Sequence, residues 1–320
     1  MLIKTAFSGR FRLEVRNAYT HQLTKVREFN NTITNAGLDS YGNNVAGNLG
    51  RCWIGTGTTT PTINDTVLAN SRAFANGAAN NEQCSLLAPT EPNWTPSAKL
   101  KYRFEAGTAT GEVSEVGIST RAEPTANNFI LWSRALVTDA YDRPSSVTVL
   151  EDEYLDVFYI LKLHTNLKDT SFTFNLGGET YNCVNRIAKA QDTRCLVAAG
   201  STFGQLNFSS GISIKAIFNS NKLGTINESI KDYDQTSLIN VTPSLSAYVN
   251  GTFYRDSVVI FDVNTGNLAD GITGLELGPA NTGQPQLILY NQISLDKPIL
   301  KTKDNAIKFT LRSSWGRYSS

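Results

Sequence analysis

Chemistry in this chain has to come from a small and scattered set of side chains. His21 and His164 are the two imidazoles available as general bases. Serine hydrolysis would need one of them beside an activated serine, and no Gly-x-Ser-x-Gly elbow is present. His164 closes an apolar run and reads as a surface residue at a strand end. Glu151, Asp152, Glu153 and Asp156 could supply the paired carboxylates of a glycoside hydrolase, which face each other across about 5 to 10 Å. Adjacent acids that open a strand read instead as a solvated turn. Cys52, Cys84, Cys183 and Cys195 lack Cys-x-x-Cys spacing, so a zinc site would have to gather distant ligands, and free thiols are expected. These residues therefore give no catalytic, metal or cofactor site, and the chain is expected not to be an enzyme.

Two segments carry backbone or oxygen groups at suggestive spacing. Gly55-Thr-Gly-Thr-Thr-Thr-Pro61 has the glycines of a phosphate loop, but it lacks the lysine that reaches the terminal phosphates and leads into no helix, so it reads as a turn. Asp262-Val-Asn-Thr-Gly-Asn-Leu-Ala-Asp270 places oxygens at alternating positions as calcium loops do. Its glycine is out of place and the closing glutamate is missing, which favours a hairpin turn after the apolar strand 258–261. Among the tryptophans, Trp132 sits amid Phe129, Ile130 and Leu131 and reads as core. Trp94 is expected on a long exposed loop from Ala75 to Pro96; with Asn93 and Asn81 it forms the candidate surface for a sugar or other receptor.

The elements that must position these groups announce themselves by period-2 alternation, the mark of a strand with one face in a core and one in water. Phe11, Leu13 and Val15 alternate with Arg10, Arg12, Glu14 and Arg16; Leu100, Tyr102 and Phe104 with Lys99, Lys101, Arg103 and Glu105; Ile307, Phe309 and Leu311 with Lys308, Thr310 and Arg312. The run Leu155, Val157, Tyr159, Leu161, Leu163 also carries Phe158 and Ile160 on its other face, so that strand is expected to be covered on both sides. Asn250-Gly251 predicts a type I′ hairpin between 246–249 and 252–254, and Gly177-Gly178 another between 172–176 and 180–184. Helix is scarce: Asn35 to Gly42 is expected to give one or two turns capped by Asn35, and Arg186 to Gln191 another.

Composition agrees. The chain has 320 residues, 40% hydrophobic but only 18% charged, so Asn, Thr, Ser and Gly must cover much of the surface, which favours strands and turns. Twenty-nine basic against 28 acidic residues give a formal charge of +1, without the footprint of a nucleic-acid binder. No apolar stretch is long enough for a membrane span or a cleaved signal, so synthesis in a cytoplasm is expected.

The segments Val113–Ile118, Phe129–Trp132 and Val149–Leu150 echo Ile272–Leu277, Leu287–Tyr290 and Ile299–Leu300, at offsets of 159 (272 − 113), 158 (287 − 129) and 150 (299 − 149) residues. The expected fold is all-β, with two antiparallel, jelly-roll-like β-sandwich domains over 1–165 and 166–320, the second a diverged copy of the first.

The first 165 residues also carry an ordered series: Val26-Arg-Glu-Phe-Asn-Asn-Thr-Ile33, Asn35-Ala-Gly-Leu-Asp39, Cys52 to Pro61, Asp65-Thr-Val-Leu68, Leu100 to Phe104, Val113-Ser-Glu-Val-Gly117, Leu131-Trp-Ser-Arg-Ala135 and Val149 to Val157. This series resembles virion proteins of tailed phages called tail-fibre, baseplate or minor structural proteins. The resemblance implies a β-sandwich attachment or assembly module of the tail, working without catalysis. Its partners would be other tail or baseplate proteins, and such modules normally occur as homo-oligomers. A polar surface and a single methionine, Met1, suit a particle exposed outside a cell. The alternatives are a module binding a host glycan or pilus, a head decoration or fibre protein, and a glycan depolymerase acting through Glu151 or Asp156.

Overall fold

The computed structural model describes residues 1–45, 49–77, 83–85, 97–166, 168–191, 197–198, 202–203, 211–220, 222–224, 236–238, 241–279 and 288–319. The chain is all-β, as its alternation predicts, and among the described residues its sheets are antiparallel apart from one parallel pairing. An eight-stranded sheet contains β1 (Leu2–Asn17), β2 (Leu23–Asn30), β6 (Gln83–Ser85), β7 (Ser97–Phe104), β12 (Glu153–Thr165), β19 (Ser244–Leu245), β20 (Tyr254–Phe261) and β23 (Ile307–Arg317). Its order is β19-β20-β23-β1-β12-β7-β6, with β2 also on β1. A five-stranded sheet runs β3 (Thr32–Ile33), β10 (Leu131–Leu136), β9 (Glu115–Ser119), β4 (Arg51–Gly55), β5 (Ser71–Asn76). A six-stranded sheet runs β13 (Thr170–Leu176), β14 (Glu179–Gln191), β22 (Ile288–Ile299), β21 (Ile272–Pro279), β17 (Ile212–Phe218), β18 (Thr236–Leu238). The pairs β8 (Gly111–Val113) with β11 (Val147–Val149) and β15 (Val197–Ala198) with β16 (Thr202–Phe203) complete the strands.

The large sheet is symmetric about β1: β12, β7 and β6 lie to one side, and β23, β20 and β19 to the other. The smaller sheets match as well, β10-β9-β4-β5 against β22-β21-β17-β18. Strand β20 begins 157 residues after β7 (254 − 97), and β21 begins 157 after β9 (272 − 115). The halves differ at their first hairpin. Strand β1 stands at the centre of the large sheet, whereas its counterpart β13 lies at the edge of the six-stranded one, and the first residues of β1 pair with β23 in parallel. Residues on both sides of position 165 thus share one sheet and one buried cluster.

The inner face of β1 (Phe7, Phe11, Leu13, Val15) is buried, and so are Leu100, Tyr102 and Phe104 of β7, Leu155, Val157, Tyr159, Leu161 and Leu163 of β12 and Ile307, Phe309 and Leu311 of β23. Burying each large apolar side chain contributes roughly 1.5 to 3 kcal/mol, more than the 0 to 1 kcal/mol of an exposed ion pair. The apolar rows therefore set the register. Their polar atoms are paired: Trp132 Nε1 donates to Tyr159 Oη at 2.9 Å, Trp315 Nε1 to the Leu38 carbonyl at 3.0 Å and Tyr102 Oη to the Leu49 carbonyl at 2.7 Å.

Helix α1 (Asn35–Gly42) forms where expected, but its cap is Thr34, whose hydroxyl accepts from Gly37 N at 2.8 Å. Gly37 is required there, because a Cβ would meet the Trp132 carbonyl oxygen at 2.5 Å. Arg186 to Gln191 is not helical; it ends β14 and pairs with β22, because cross-strand partners outweigh a modest alanine preference for helix. Gly177 and Gly178, at φ +60° and +84°, make the expected turn between β13 and β14. Of Asn250-Gly251 only Gly251 has positive φ, +81°, so the turn is not type I′, and strand pairing resumes at Ser246 and Asp256. The cause lies sideways: Asp39 on α1 accepts from Tyr248 Oη at 2.6 Å and Gly251 N at 2.7 Å, which draws the turn onto the helix.

Candidate functional site

Two of the four carboxylates that could have served glycoside cleavage are buried in ion pairs. Glu153 is buried, accepting from Thr24 Oγ1 at 2.7 Å, Lys25 Nζ at 2.9 Å and Leu150 N at 2.9 Å. Burial pushes its carboxyl up, and these donors outweigh burial and hold it below the usual range. Asp156, also buried, is clamped by Arg103 at 2.7 Å and Lys101 at 3.2 Å. Glu151 and Asp152 lie exposed on the turn before β12. The Asp262 segment is not a hairpin turn, since it carries the chain from β20 in one sheet to β21 in another. Lys301, itself buried, bonds Asn267 Oδ1 at 2.9 Å, so an ammonium already stands at this oxygen-rich loop. Cys52 and Cys183 are buried free thiols, and among the described residues no three His, Cys, Asp or Glu side chains converge as metal ligands. Trp94, Asn93 and Asn81 lie outside the described residues, as does most of the loop from 75 to 96; its first residues belong to β5, where Ala75 is buried.

A buried ionic latch was not anticipated. Glu115, fully buried on β9, lies 2.9 Å from Arg134 on β10, and its oxygens accept from Gly57 N at 3.0 Å, Ala69 N at 3.0 Å and Asn70 N at 2.6 Å. Arg134 also reaches Asp65 at 2.7 Å and Thr59 Oγ1 at 2.9 Å. The glycine-rich turn from Gly55 to Pro61 therefore does cradle an anion, an internal carboxylate. The available signal was one acid and one base, each set inside an otherwise apolar strand.

The outer face of β2, β1, β12 and β7 concentrates positive charge. The register places Arg12 between Glu28 and Phe158, Glu14 beside Asp156, and Phe158 and Asp156 beside Lys101 and Arg103. Arg10, Arg12, Arg16, Lys99, Lys101, Arg103 and Lys162 share this face with Glu14, Glu28 and Asp156, a net of +4 (7 − 3) on a chain of +1. Each acid is held by two cations: Glu14 by Arg12 and Arg16, Glu28 by Arg10 and Arg12, and Asp156 by Lys101 and Arg103. Burial pushes the Glu14 carboxyl up, and the two guanidinium groups more than reverse this, so it stays below its ordinary range. The second cover expected over β12 is this cationic layer, with Lys99 Nζ 4.1 Å from the Phe158 ring centre and the Arg103 guanidinium 4.4 Å from that of Tyr154.

At one end of this face a notch of about 520 Å³ opens where the edge of β1 passes from β23 to β2. It is lined by Ser8, Arg10, Asn31, Lys162, His164 and Arg317 among others, with no carboxylate in its walls. Ser8 Oγ lies 2.8 Å from His164 Nε2, and the imidazole stacks on Tyr318 with ring centres 3.6 Å apart. Burial and then Lys162 pull the imidazole below its ordinary pKa. His164 is thus half-buried, not a plain surface residue. No carboxylate among the described residues bonds its ring to orient it as a base, and what surrounds the pair is an anion-attracting wall. Comparison with protein-family models, curated proteins and solved structures returns no match.

Proposed function

We propose that the chain is a structural component of a tailed-phage particle, a tail, baseplate or tail-fibre attachment protein that acts through protein–protein contacts and catalyses nothing. One observation carries this. The segments on which the resemblance rests, Cys52–Pro61, Asp65–Leu68, Val113–Gly117 and Leu131–Ala135, are distant in sequence and meet around the Glu115–Arg134 latch. Their convergence on one buried pair supports reading them together as one fold element. An ionic latch inside an all-β body fits an assembly part that must hold its shape. Side chains such as Tyr19, Tyr141 and Leu300, exposed by 83%, 78% and 69%, are available for neighbours, and the chain is expected to work as a homo-oligomer beside other tail proteins. Intact particles labelled with antibody against this chain should carry the label on the tail. Label on the head, or none on particles, would count against the assignment.

A further inference from the structure

We propose that the notch between β2 and β23, with the cationic face it opens onto, binds a carboxylate-bearing polysaccharide: one sugar-acid carboxylate enters the notch, and the polymer continues along β1. The inference stands apart from the particle assignment, because it rests on charge and geometry alone. The notch brings Arg10, Lys162 and Arg317 together with His164 and has no acid in its own walls; Arg10 is shared with Glu28 at 2.8 Å, and Lys162 is left for a ligand, in a chain whose charges balance at 29 to 28. Its volume of about 520 Å³ lies in the range of small-ligand sites, roughly 300 to 1,000 Å³. Lys162 has no ion-pair partner among the described residues, and guanidinium groups bind carboxylates through paired, charge-assisted hydrogen bonds.

Asn31 narrows the ligand further. Its Nδ2 donates to Tyr159 Oη at 3.1 Å, while its Oδ1 is buried without a partner. Whichever way the amide is turned, one polar atom is left over at the notch. A buried orphan of this kind is costly, and a ligand hydroxyl that the amide turns to meet would recover that cost. Sugar acids have both.

Beyond the notch, outward side chains of β1 recur about every 7 Å, in the order Arg10, Arg12, Glu14, Arg16. Sparse cations interleaved with the acceptor oxygens of Glu14, Glu28 and Asp156 suit a polymer charged once per sugar or less, with hydroxyls between. Duplex DNA, with a charge per about 1.7 Å of axis, would press phosphates against those three carboxylates.

The test is titration calorimetry of the full chain with two probes, hexagalacturonate and oligosialic acid, beside carboxyl-reduced hexagalacturonate and a DNA duplex of matched charge. At least one acidic saccharide should bind, at least tenfold more tightly than the carboxyl-reduced form, and weaken as salt rises. The double variant Arg10→Gln/Lys162→Gln should weaken it at least tenfold with an unchanged circular dichroism spectrum and melting temperature, while Lys308→Gln, outside the notch, should not. Binding of neither saccharide, equal binding of the reduced form, preference for DNA, or indifference to the double variant would each overturn the proposal.

Discussion

The Glu115 carboxylate lies 2.9 Å from the Arg134 guanidinium with both side chains almost wholly removed from solvent, 0% and 3% exposed. An ion pair in this setting is strongly asymmetric: making it gains little over an apolar pair, but leaving one partner alone is costly. Glu115→Ala would leave Arg134 with only Asp65 and Thr59 and would strand the N–H groups of Gly57, Ala69 and Asn70. We expect each of Glu115→Ala and Arg134→Ala to lower stability by about 3 to 5 kcal/mol, read from guanidinium chloride denaturation. The double variant Glu115→Ala/Arg134→Ala should lose clearly less than the two singles summed. Additive losses would mean that the pair is not coupled.

Acid should loosen the fold in two steps. The His164 imidazole has a folded pKa below its ordinary value, so between that value and about 6.5 the unfolded chain binds the proton and the folded chain does not. Its contribution is present above that range and is lost as pH falls through it. Glu14, Glu153 and Asp65 also have depressed folded values; their contribution is present above about pH 4 and disappears as pH falls further. Urea midpoints measured from pH 8 to pH 3 should decline first below about 6.5 and again below about 4. His164→Gln should abolish the first decline only, and Glu153→Gln should reduce the second. A midpoint independent of pH above 5 in the parent chain would refute the histidine step.

Strand identity was legible in the sequence because it depends on neighbours two residues apart: the rows Phe11-Leu13-Val15 and Ile307-Phe309-Leu311 are buried as their alternation requires. Pairing was not legible, since nothing local says that Leu2 lies beside Arg312 in a parallel ladder. The cations of β1 and β7 looked like two separate solvated faces and β12 like a strand covered on both sides, and only the register joins them into one. Arg186 to Gln191 misled because alanine spacing imitates a helix where β22 supplies a strand partner. Glu115 and Arg134 were the readable anomaly, each a charge inside an apolar strand; their partners on the Gly55–Asn70 loop follow from the fold.

The contact of Asp39 with Tyr248 and Gly251 ties the helix of the first half to the turn of the second, reinforced by Asn43 Nδ2 donating to Asn250 Oδ1 at 2.9 Å. Burial, and then Asp39 itself, push the Tyr248 phenol well above its ordinary pKa, so at neutral pH it stays a donor to the carboxylate. Hydrogen bonds to a charged group contribute about 1.5 to 3 kcal/mol. Tyr248→Phe should cost the lower end of that range and Asp39→Ala the upper, because it releases two donors. Hydrogen exchange at Gly251 N–H should speed up in Asp39→Ala more than amides in the centre of β12. Unchanged exchange at Gly251 would show that the turn is held by other means.

Thiol reactivity gives a check on the core that needs no substitution. Cys52 is fully buried, and burial alone raises its thiol well above the ordinary range. Cys183 is pushed up to about 11 by burial first and then by the charge of Asp296. Since the thiolate is the reacting form, at pH 8 only about one Cys183 in a thousand would carry it, and Cys52 would have neither the charge nor access. Iodoacetamide applied to the native chain at pH 8, followed by peptide mapping, should leave both unmodified over an hour, and in guanidinium chloride both should react within minutes. Rapid native labelling of Cys52 would mean that β4 and β9 open far more readily than their buried pairing allows. The latch, which ties β9 to β10 and to the loop that follows β4, would then have to be weaker than its geometry requires, so Glu115→Ala should itself accelerate Cys52 labelling if the latch is what keeps this sheet closed.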